Sequence, residues 1–257
     1  MELQSPREAA AFALSLLDLT NLRDDCDEAA IENLCLRAQT PYGNSAAICI
    51  WPRFVAHARK ILGAGHPVRI ATVVNFPSGD LAVADVVAET AKAVEDGADE
   101  IDLVIPYKAF IGGDEAAVTV MVEAVRAACP HSALKVILET GELKDMLLVR
   151  RASELAIAAG ADFIKTSTGK VSVNATLEAA DIMLRSIRES KAKVGFKPAG
   201  GVSTVADADL YLRLAETIMG PNWIMPSTFR FGASSLLDDI LAVLAGTTSQ
   251  RVAAGGY

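Results

Sequence analysis

Residues 81–106 read LAVADVVAETAKAVEDGADEIDLVIP, and this stretch joins a helical pattern directly to a strand. Apolar residues recur at helical spacing from Leu81 to Gly97, and Gly97 stands where a helix would end. The run EIDLVIP that follows, Glu100 to Pro106, is almost continuously apolar, as expected for a buried strand. The tetrapeptide GADE at 97–100 has a counterpart in GADF at 160–163. Both indicate a helix-to-strand turn, so the chain is predicted to repeat a βα unit.

Seven further runs share the apolar, β-rich composition of EIDLVIP. Together, the eight predicted strands are Leu16–Thr20, Ala46–Trp51, Arg69–Phe76, Glu100–Pro106, Leu134–Thr140, Asp162–Thr168, Lys193–Gly200 and Phe229–Ser234. Amphipathic patterns between the runs predict helices at Glu28–Gln39, Arg53–Leu62, Leu81–Gly97, Glu115–Ala128, Lys144–Ala159, Leu177–Ser190, Val205–Met219 and Leu236–Leu244. Strands that are apolar along nearly their whole length are typical of parallel sheets covered on both faces.

Eight βα units within 257 residues predict a TIM (β/α)8 barrel, whose usual size is about 250 residues. A doubly wound open sheet is the competing α/β fold, and the lack of a GxGxxG motif after the first strand disfavours it. No linker-like stretch divides the chain, so residues 1–257 are predicted to form a single barrel domain. An extra N-terminal helix is predicted at Pro6–Leu14 with Ser5 as its cap, and residues 246–257 are predicted to be a mobile C-terminal tail.

The composition argues against several classes of function. A net charge of −8 disfavours binding to nucleic acid, which needs a basic surface, but allows a small anionic substrate held by local positive groups. No stretch approaches the roughly 20 consecutive apolar residues of a membrane helix, and the N-terminus lacks a secretory signal. The four cysteines show no CxxC pairing, which is typical of reduced thiols in a cytoplasmic protein. The three histidines are isolated, so no metal site is predicted.

Charged residues inside predicted strands indicate a catalytic centre, because TIM barrels carry their chemistry at the C-terminal ends of the strands. Asp102 lies between Ile101 and Leu103, which should face the helices, so period-two alternation turns Asp102 into the barrel. Lys165 and Lys197 are predicted to occupy corresponding inward positions on consecutive strands. Neighbouring strands lie about 4.8 Å apart, so the two amines should come close together.

Two nearby ammonium groups, together with burial, should lower the pKa of one lysine below its usual value of about 10.4. A neutral amine is the form that attacks a carbonyl carbon. Either lysine alone would more often be an ion-paired structural residue, and Asp102 alone could form a structural salt bridge. Two lysines and one aspartate on three inward strand faces instead favour a Schiff-base enzyme.

Two further residues are predicted to face into the barrel. Asp18, in LLDLT, could hold Lys197 or a substrate hydroxyl, and it could equally cap the turn after its strand. Cys49, in AAICIW, is a candidate site residue, although a small apolar core residue is the more common role for such a cysteine.

Three loops at the ends of predicted strands are rich in groups that bind phosphate. They contribute Thr168, Gly169 and Lys170 after the sixth strand, Gly200 and Gly201 after the seventh, and Gly232, Ser234 and Ser235 around the eighth. Glycine lets backbone N–H groups approach an anion, and a helix N-terminus supplies unpaired donors. Small residues are also common in ordinary turns, but three such loops around one lysine pair favour a phosphate site.

Several sequence blocks resemble one known family. EIDLVIPYKAFIGG, LKVILETGELKD, ADFIKTSTGK, VGFKPAGGV and FGASSL are similar to blocks of class I 2-deoxyribose-5-phosphate aldolase, as are LLDLTNL, GNSAAICIWPRF and IATVVNFPSG. The resemblance runs in order from about residue 14 to residue 240. It implies a TIM barrel that reversibly cleaves 2-deoxy-D-ribose 5-phosphate to D-glyceraldehyde 3-phosphate and acetaldehyde, in deoxyribonucleoside catabolism.

The resemblance also implies roles for individual residues. Lys165 matches the family's Schiff-base lysine, Lys197 matches the lysine that perturbs it, and Asp102 matches the carboxylate that moves protons with a bound water. The family uses no metal or organic cofactor, and many members are cytosolic homodimers. Close members have arginine at the position of Ser203, so this chain lacks that positive charge beside the predicted phosphate loops. A tyrosine ends some members and can reach the active site there, which makes Tyr257 a candidate site residue.

The mechanistic hypothesis combines these roles. Neutral Lys165 attacks acetaldehyde to form an iminium, and Asp102 relays protons through water as the enamine forms. The enamine attacks glyceraldehyde 3-phosphate, and hydrolysis releases the product. The predicted partners are therefore small phosphosugar and aldehyde substrates. Three alternatives remain open: another Schiff-base barrel enzyme such as a transaldolase or a different phosphosugar aldolase, a phosphosugar-binding regulatory protein without chemistry, and a purely structural barrel.

Overall fold

One sheet of eight parallel strands is the framework of the computed structural model, which describes residues 5–247. In chain order the strands are β1 (Leu17–Asn21), β2 (Gln39–Thr40), β3 (Gly43–Asn44), β4 (Ala47–Ile50), β5 (Arg69–Val74), β6 (Glu100–Val104), β7 (Ala133–Ile137), β8 (Phe163–Lys165), β9 (Gly195–Lys197) and β10 (Phe231–Ala233). Strands β2 and β3 form a separate antiparallel hairpin, and the other eight form the parallel sheet.

The strand order across this sheet is β10-β1-β4-β5-β6-β7-β8-β9. Each barrel strand therefore lies beside the next barrel strand in the chain, and β1 also lies beside β10. Parallel bridges from Phe196 to Phe229 and from Ala199 to Gly232 connect the two remaining edges. The sheet is therefore a nearly closed barrel, and the predicted TIM (β/α)8 fold is confirmed. A doubly wound sheet would reverse its strand order part-way, which this sheet does not do.

Helices alternate with the barrel strands. In chain order they are α1 (Pro6–Ser15), α2 (Glu28–Arg37), α3 (Val55–Leu62), α4 (Val83–Glu95), α5 (Tyr107–Ile111), α6 (Glu115–Ala128), α7 (Thr140–Leu143), α8 (Met146–Ala158), α9 (Leu177–Ser190), α10 (Val205–Met219) and α11 (Leu236–Ala245). The predicted N-terminal helix is confirmed together with its cap. The hydroxyl of Ser5 accepts from the backbone N–H of Glu8 at 3.3 Å, and the Glu8 carboxylate accepts from the N–H of Ser5 at 3.1 Å.

Most barrel strands are shorter than the apolar runs that predicted them. The run Asp162–Thr168, for example, contains only the three-residue strand β8. Beyond Lys165, the hydroxyl of Thr166 accepts from the backbone N–H of Ala199 at 3.0 Å, so a side chain takes over the pairing there. The short helices α5 and α7 and the β2–β3 hairpin were not predicted, because so few residues cannot display a helical or strand period.

The GAD turn at residues 97–99, which follows α4, is held by an arginine from α3. Gly97 lies in the short connection between α4 and β6. Its φ is 103°, which only glycine adopts readily. Arg59, on α3, donates to the carbonyl oxygen of Gly97 at 2.8 Å and to the carboxylate of Asp99 at 2.6 Å. The same carboxylate accepts from the backbone N–H of Ile70, at 2.8 Å, and this contact fixes β5 beside the start of β6.

The second GAD turn, at residues 160–162, repeats this arrangement before β8, two strands after β6. Gly160 has a φ of 101°, and the side chain of Arg126 packs where a Cβ of Gly160 would point. Arg126, on α6, donates to the Asp162 carboxylate at 2.7 Å, and that carboxylate also accepts from the N–H of Leu134 at 2.8 Å. The sequence repeat therefore corresponds to a repeated clamp at the N-terminal end of the barrel.

The core has two parts. The larger part lies between the outer faces of the strands and the helices. A small apolar cluster inside the barrel consists of Leu22, Ala47, Cys49, Ala71 and Val73. Charged side chains from the other strands occupy the rest of the interior. Within residues 5–247, no helix is both long enough and apolar enough to cross a membrane.

Candidate active site

Lys165 and Lys197 are the last residues of β8 and β9, and they are direct partners in the parallel register of these strands. Both residues are almost completely buried, at 3% and 0% exposure. Both side chains point into the barrel, as the period-two pattern predicts, and both donate to Oδ2 of Asp102, at 2.8 Å and 2.7 Å respectively. The two amines therefore share one acceptor at the C-terminal ends of the strands, where barrel enzymes carry their chemistry.

Asp102 is the centre of this buried group of charges. It lies in the middle of β6, and its second oxygen, Oδ1, accepts from Lys135 on β7 at 2.8 Å. Burial alone would raise the pKa of Asp102, but the three surrounding ammonium groups outweigh burial and hold the pKa well below its usual value. Asp102 is therefore an ionised acceptor at neutral pH.

A second layer of charges lies toward the N-terminal ends of the strands. Asp18, on β1, accepts from Lys197 at 2.5 Å and from Arg230 at 2.6 Å. Glu100, at the start of β6, accepts from Arg230 at 2.8 Å and forms an ion pair with Lys135 at 2.6 Å. Each of these groups is buried, so the layer is a continuous network of charge-assisted hydrogen bonds.

The two layers together contain more cations than carboxylates. The cations are Lys135, Lys165, Lys197 and Arg230, and the carboxylates are Asp18, Glu100 and Asp102. Four positive and three negative charges would leave a net charge of +1, so release of one proton relieves the excess. In the part of the chain that the structure describes, Lys165 has one carboxylate within hydrogen-bond distance, whereas Lys135, Lys197 and Arg230 each have two. Lys165 is therefore the cation that the cluster stabilises least.

The pKa shifts of the two lysines go in opposite directions. Burial lowers the pKa of Lys165, Asp102 opposes this only in part, and the ammonium group of Lys197 lowers the pKa further. Burial also acts to lower the pKa of Lys197, but the carboxylates of Asp102 and Asp18 outweigh it and raise that pKa above its usual value. These directions agree with the predicted lowering of one lysine pKa, and Lys165 is the lysine whose pKa is lowered.

The start of the loop after β9 lies beside strand β10, because a bridge joins Ala199 to Gly232. Gly200 and Gly201 have φ values of 78° and 84°, a left-handed conformation that favours glycine. A Cβ on Gly200 would lie 2.7 Å from the side chain of Asn174, so the loop after β8 also reaches this point. A Cβ on Gly201 would meet no atom of the described residues within 4 Å, which leaves the backbone there open to a ligand.

The N-terminus of α11 adds donors beside these glycines. Ser235 is the N-cap residue of α11, and its side chain makes no capping hydrogen bond. The first N–H groups of a helix without a side-chain cap are suited to bind an anion. Two carboxylates in the same turn would oppose an anion, but Asp238 pairs with Arg37 and Asp239 accepts from the N–H of Val205 at 2.7 Å.

The loop after β8 is held in shape by Glu139. Its carboxylate accepts from the backbone N–H of Thr168 at 3.2 Å and from the Thr168 hydroxyl at 2.6 Å. The same hydroxyl accepts from the N–H of Lys170 at 3.0 Å, and Gly169 between them has a φ of 86°. The Lys170 ammonium group lies 3.4 Å from Asp24. Thr168 thus shapes the loop, and Lys170 supplies a cation at its edge.

A family model described as DeoC/LacD family aldolase matches residues 12–241 of this chain. The chain belongs to the DeoC/LacD family of aldolases. A curated deoxyribose-phosphate aldolase from Agrobacterium fabrum is 72% identical over 256 residues, which are 99% of this chain and 99% of that protein. The resemblance inferred from the sequence blocks is therefore confirmed.

Solved structures agree with this DeoC/LacD fold. The structure of a protein from Toxoplasma gondii ME49 matches with a TM-score of 0.87 and 23% identity, covering 93% of this chain and 95% of that one, and supports the fold alone. The structure of QR15, an aldolase, matches with a TM-score of 0.78 and 28% identity, covering 91% of this chain and 96% of its own. In the part of this DeoC/LacD aldolase that the structure describes, no group of three or more His, Cys, Asp or Glu side chains could hold a metal ion.

The contacts of three further candidate residues of this DeoC/LacD aldolase indicate structural roles. Both carboxylate oxygens of Asp18 are bonded to cations, so of the three predicted roles the geometry supports holding Lys197, rather than holding a substrate hydroxyl or capping the turn. Cys49 is fully buried in the interior apolar cluster, and burial raises its pKa, as expected for a small core residue. A Cβ on Gly232 would lie 2.8 Å from Ala199 and 3.1 Å from Cε of Lys197, so Gly232 keeps space for that lysine.

Sequence reasoning missed three charged members of the cluster and the residue that shapes the β8 loop. Period-two alternation could have revealed Glu100 and Lys135. Glu100 is two positions before Asp102 on the same strand, and Lys135 lies between two outward-facing apolar residues. Arg230 could have been found in the same way, two positions before Gly232. Glu139 carried no such signal, because its left-handed backbone, with a φ of 58°, follows the end of β7.

Two other candidate regions of the DeoC/LacD chain stand apart from the cluster. Ser203 donates through its hydroxyl and its N–H to the carboxylate of Asp207, at 3.3 Å and 3.1 Å, just before α10. Its place after Gly201 puts it beside the open glycine loop. Tyr257, and the predicted tail beyond Thr247, lie outside the described residues.

Proposed function

We propose that this aldolase reversibly cleaves 2-deoxy-D-ribose 5-phosphate to D-glyceraldehyde 3-phosphate and acetaldehyde, with Lys165 as the Schiff-base nucleophile. The observation that carries the proposal is the buried Lys165 amine, whose pKa is lowered while that of its strand partner Lys197 is raised. A neutral amine beside a fixed cation and an ionised carboxylate is the arrangement that carbinolamine chemistry requires. The 72% identity to a deoxyribose-phosphate aldolase supports the choice of substrate.

The proposed cleavage begins when the neutral Lys165 amine attacks the C1 aldehyde of the open-chain sugar. The carbinolamine loses water to give an iminium, and the C3 hydroxyl proton is removed as the C2–C3 bond breaks. The bonding electrons pass into the iminium to form an enamine, and glyceraldehyde 3-phosphate departs. Protonation at C2 and hydrolysis then release acetaldehyde and restore the amine. Synthesis is the reverse sequence, in which the enamine attacks glyceraldehyde 3-phosphate.

Asp102 and Lys197 have different proposed roles in these steps. Asp102, acting through a water molecule, relays the protons of carbinolamine dehydration and enamine formation. Lys197 keeps Lys165 partly neutral and supports proton transfer, since its own ammonium group is stabilised by two carboxylates. The 5-phosphate is held by the β9 and β10 loops, through Gly200, Gly201 and the α11 N-terminus near Ser235.

The test of this function is borohydride reduction in the presence of acetaldehyde, followed by mass spectrometry of peptides. An ethyl adduct is expected on Lys165 of the wild-type chain, and no adduct and no turnover are expected in Lys165→Met. Lys60→Met, at an exposed lysine on α3, is the matched control and should retain both. Full activity in Lys165→Met, or an adduct on another lysine, would refute the assignment.

A different Schiff-base barrel enzyme is separated by its donor substrate. A transaldolase or another phosphosugar aldolase would form its trapped adduct with a dihydroxyacetone donor rather than with acetaldehyde. A phosphosugar-binding protein without chemistry would bind the sugar and give no adduct at all. Product analysis with both donors therefore distinguishes the three functions.

We also propose that the chain forms a single barrel domain and acts as a cytoplasmic homodimer, as the family resemblance implies. Four buried free cysteines, Cys26, Cys35, Cys49 and Cys129, are consistent with a reducing compartment. Light scattering coupled to size-exclusion chromatography tests the dimer: a mass near 54 kDa, twice the 27.0 kDa of the chain, is expected.

A further inference from the structure

A cavity of about 760 Å³ opens at the N-terminal end of the barrel, opposite to the catalytic lysines. Its walls are residues that precede or begin the strands, among them Ala46, Arg69, Glu100, Ala133 and Phe163. The volume lies within the range of about 300–1,000 Å³ that is usual for small-molecule sites. The aldolase function proposed above makes no use of this cavity.

The charged side chains around the cavity are unevenly paired. Arg126 is bound to Asp162 at 2.7 Å, and Arg230 is bound to Glu100 at 2.8 Å, so these four charges balance each other. Each pair is part of the barrel's internal network, so neither leaves a charge free for a ligand. The remaining cationic side chains of the lining then decide the local charge.

Arg69 and Lys193 are those remaining cations. Arg69 is exposed, and its nearest carboxylate is Asp99 at 3.7 Å, which is too long for a hydrogen bond. Lys193 is exposed and has no ion pair with any residue between positions 5 and 247. The lining side chains therefore carry four positive and two negative charges, an excess of two, in a chain whose net charge is −8. Asp99, which lies outside the lining, is shared between Arg69 and Arg59.

Ser45 is an independent sign of a ligand. It lines the same cavity, it is 2% exposed, and its hydroxyl has no hydrogen-bond partner among the described residues. A buried hydroxyl without a partner is unfavourable, so a rotation of this side chain toward the cavity would let it donate to an acceptor placed there. The N–H of Arg69 donates to the carbonyl of Ala46 at 3.0 Å, so Ser45 and Arg69 belong to neighbouring parts of the wall.

The apolar part of the lining indicates what kind of anion fits. Phe163 contributes an aromatic ring, and three prolines, Pro67, Pro130 and Pro226, contribute rigid apolar surface. An inorganic ion would leave this surface and most of the volume in contact with water. An organic body that carries acidic groups would cover it.

We infer that this cavity binds a small organic anion, a metabolite with carboxylate or phosphate groups on a partly apolar body. Arg69 and Lys193 neutralise its charge, and the hydroxyl of Ser45 donates to one of its oxygens. The site is separate from the phosphate loops, which lie at the C-terminal ends of the strands. Its occupation does not depend on Schiff-base chemistry.

Isothermal titration calorimetry of the full chain at low ionic strength tests the inference, with citrate and pyrophosphate as carboxylate and phosphate probes. We expect at least one probe to bind the wild type, with the double variant Arg69→Ala/Lys193→Ala weakening that binding at least tenfold. Ser45→Ala is expected to weaken it several-fold. The charge-matched control Lys60→Ala/Arg213→Ala changes two exposed cations elsewhere and should bind as the wild type does.

Three results would overturn the site. Neither probe binds, or binding is unchanged in both Arg69→Ala/Lys193→Ala and Ser45→Ala, or binding is lost in Gly201→Ala but kept in the cavity variants. The last result would place the probe at the phosphate loops. Arg69 and Lys193 are exposed, so loss of the fold in their variants is not expected, and circular dichroism checks this. Acetaldehyde trapping at Lys165 is measured separately, so failure of one proposal is distinguishable from failure of the other.

Discussion

Lys165 and Lys197 occupy paired positions on adjacent strands, and their amines bind the same carboxylate oxygen. Their difference in charge comes from their remaining partners. Lys197 has a second carboxylate, Asp18, at 2.5 Å, whereas Lys165 has no second one within hydrogen-bond distance among residues 5–247. A difference of one ion pair therefore distinguishes the two neighbouring lysines, and it supports the proposal that Lys165 is the nucleophile.

Replacing Lys197 with methionine should move the pH dependence of kcat/KM to higher pH. Activity rises with pH as Lys165 loses its proton, and without the neighbouring cation the Lys165 pKa is no longer lowered by it. We expect the acid limb to shift upward by about one pH unit or more, with weaker acetaldehyde trapping at pH 7. Lys60→Met should leave the limb in place. An unchanged or downward-shifted limb in a folded Lys197→Met would contradict this account.

Replacing Asp102 with asparagine should separate Schiff-base formation from turnover. The carboxylate raises the Lys165 pKa, so its loss favours the neutral amine, and borohydride trapping should persist at lower pH than in the wild type. Turnover should fall by about 10²–10⁴-fold, the usual contribution of a proton-transfer group. The variant should also melt earlier, because removing one partner of a buried ion pair costs about 3–5 kcal/mol. Normal turnover would exclude a catalytic role for Asp102.

Replacing Gly201 with alanine should weaken binding of the phosphorylated sugar alone. The new Cβ would occupy open space in the glycine loop and would strain a backbone with a φ of 84°. We expect KM for 2-deoxyribose 5-phosphate to rise, and KM for unphosphorylated 2-deoxyribose to stay unchanged. Gly65→Ala, at a φ of 71° with no atom within 4 Å, controls for backbone strain. Equal effects on both sugars would remove the loop from the phosphate site.

Replacing Ser203 with arginine should tighten binding of the phosphosugar. The substitution adds a cation beside the glycine loop, and a surface charge pair contributes up to about 1 kcal/mol, or roughly fivefold in KM. The gain should disappear at high salt, where exposed charges are screened. Thr217→Arg, near the other end of α10, is the charge-matched control and should not change KM. An equal gain in both variants would indicate only a general effect of net charge.

Replacing Gly195 with alanine should destabilise the barrel. A Cβ there would lie 2.4–2.8 Å from the ring of Phe163, which is too close without a shift of the strand. Overpacking of this kind costs about 1–3 kcal/mol, so we expect a clearly lower Tm in thermal melting. Gly112→Ala, at an exposed position where the nearest atom would be 3.2 Å away, should melt close to the wild type. A Tm equal to that of the wild type would show that β9 can move.

The fold was predictable because its signals are local. Each apolar run and each helical period lies within a few residues, and the GAD repeat marks the same turn twice. Period two also placed Asp102, Lys165 and Lys197 inside the barrel, since side-chain direction in a strand depends only on parity.

The identity of the neutral lysine was not predictable from such local patterns. It depends on how many carboxylates reach each amine, and these come from distant strands: Asp18 is 179 positions from Lys197, and Asp102 is 95 positions away. The loop geometry at Glu139 was equally hidden, because a left-handed backbone at a glutamate carries no sequence signature. The candidate phosphate loops were predicted as sets of small residues, but only the structure separates Gly201, where a Cβ would point into open space, from Gly232, where a Cβ would meet Ala199 and Lys197.

Closure of the barrel between β1 and β10 has a consequence for the chain during synthesis. The bond from Arg230 to Asp18 spans 212 positions, so it cannot form until the last strand has left the ribosome. Before that point the barrel is open between its first and last strands, so the burial that lowers the pKa of Lys165 is expected to be incomplete. We therefore expect the reactive amine to arise only in the finished barrel, which protects the nascent protein from adducts with cellular aldehydes.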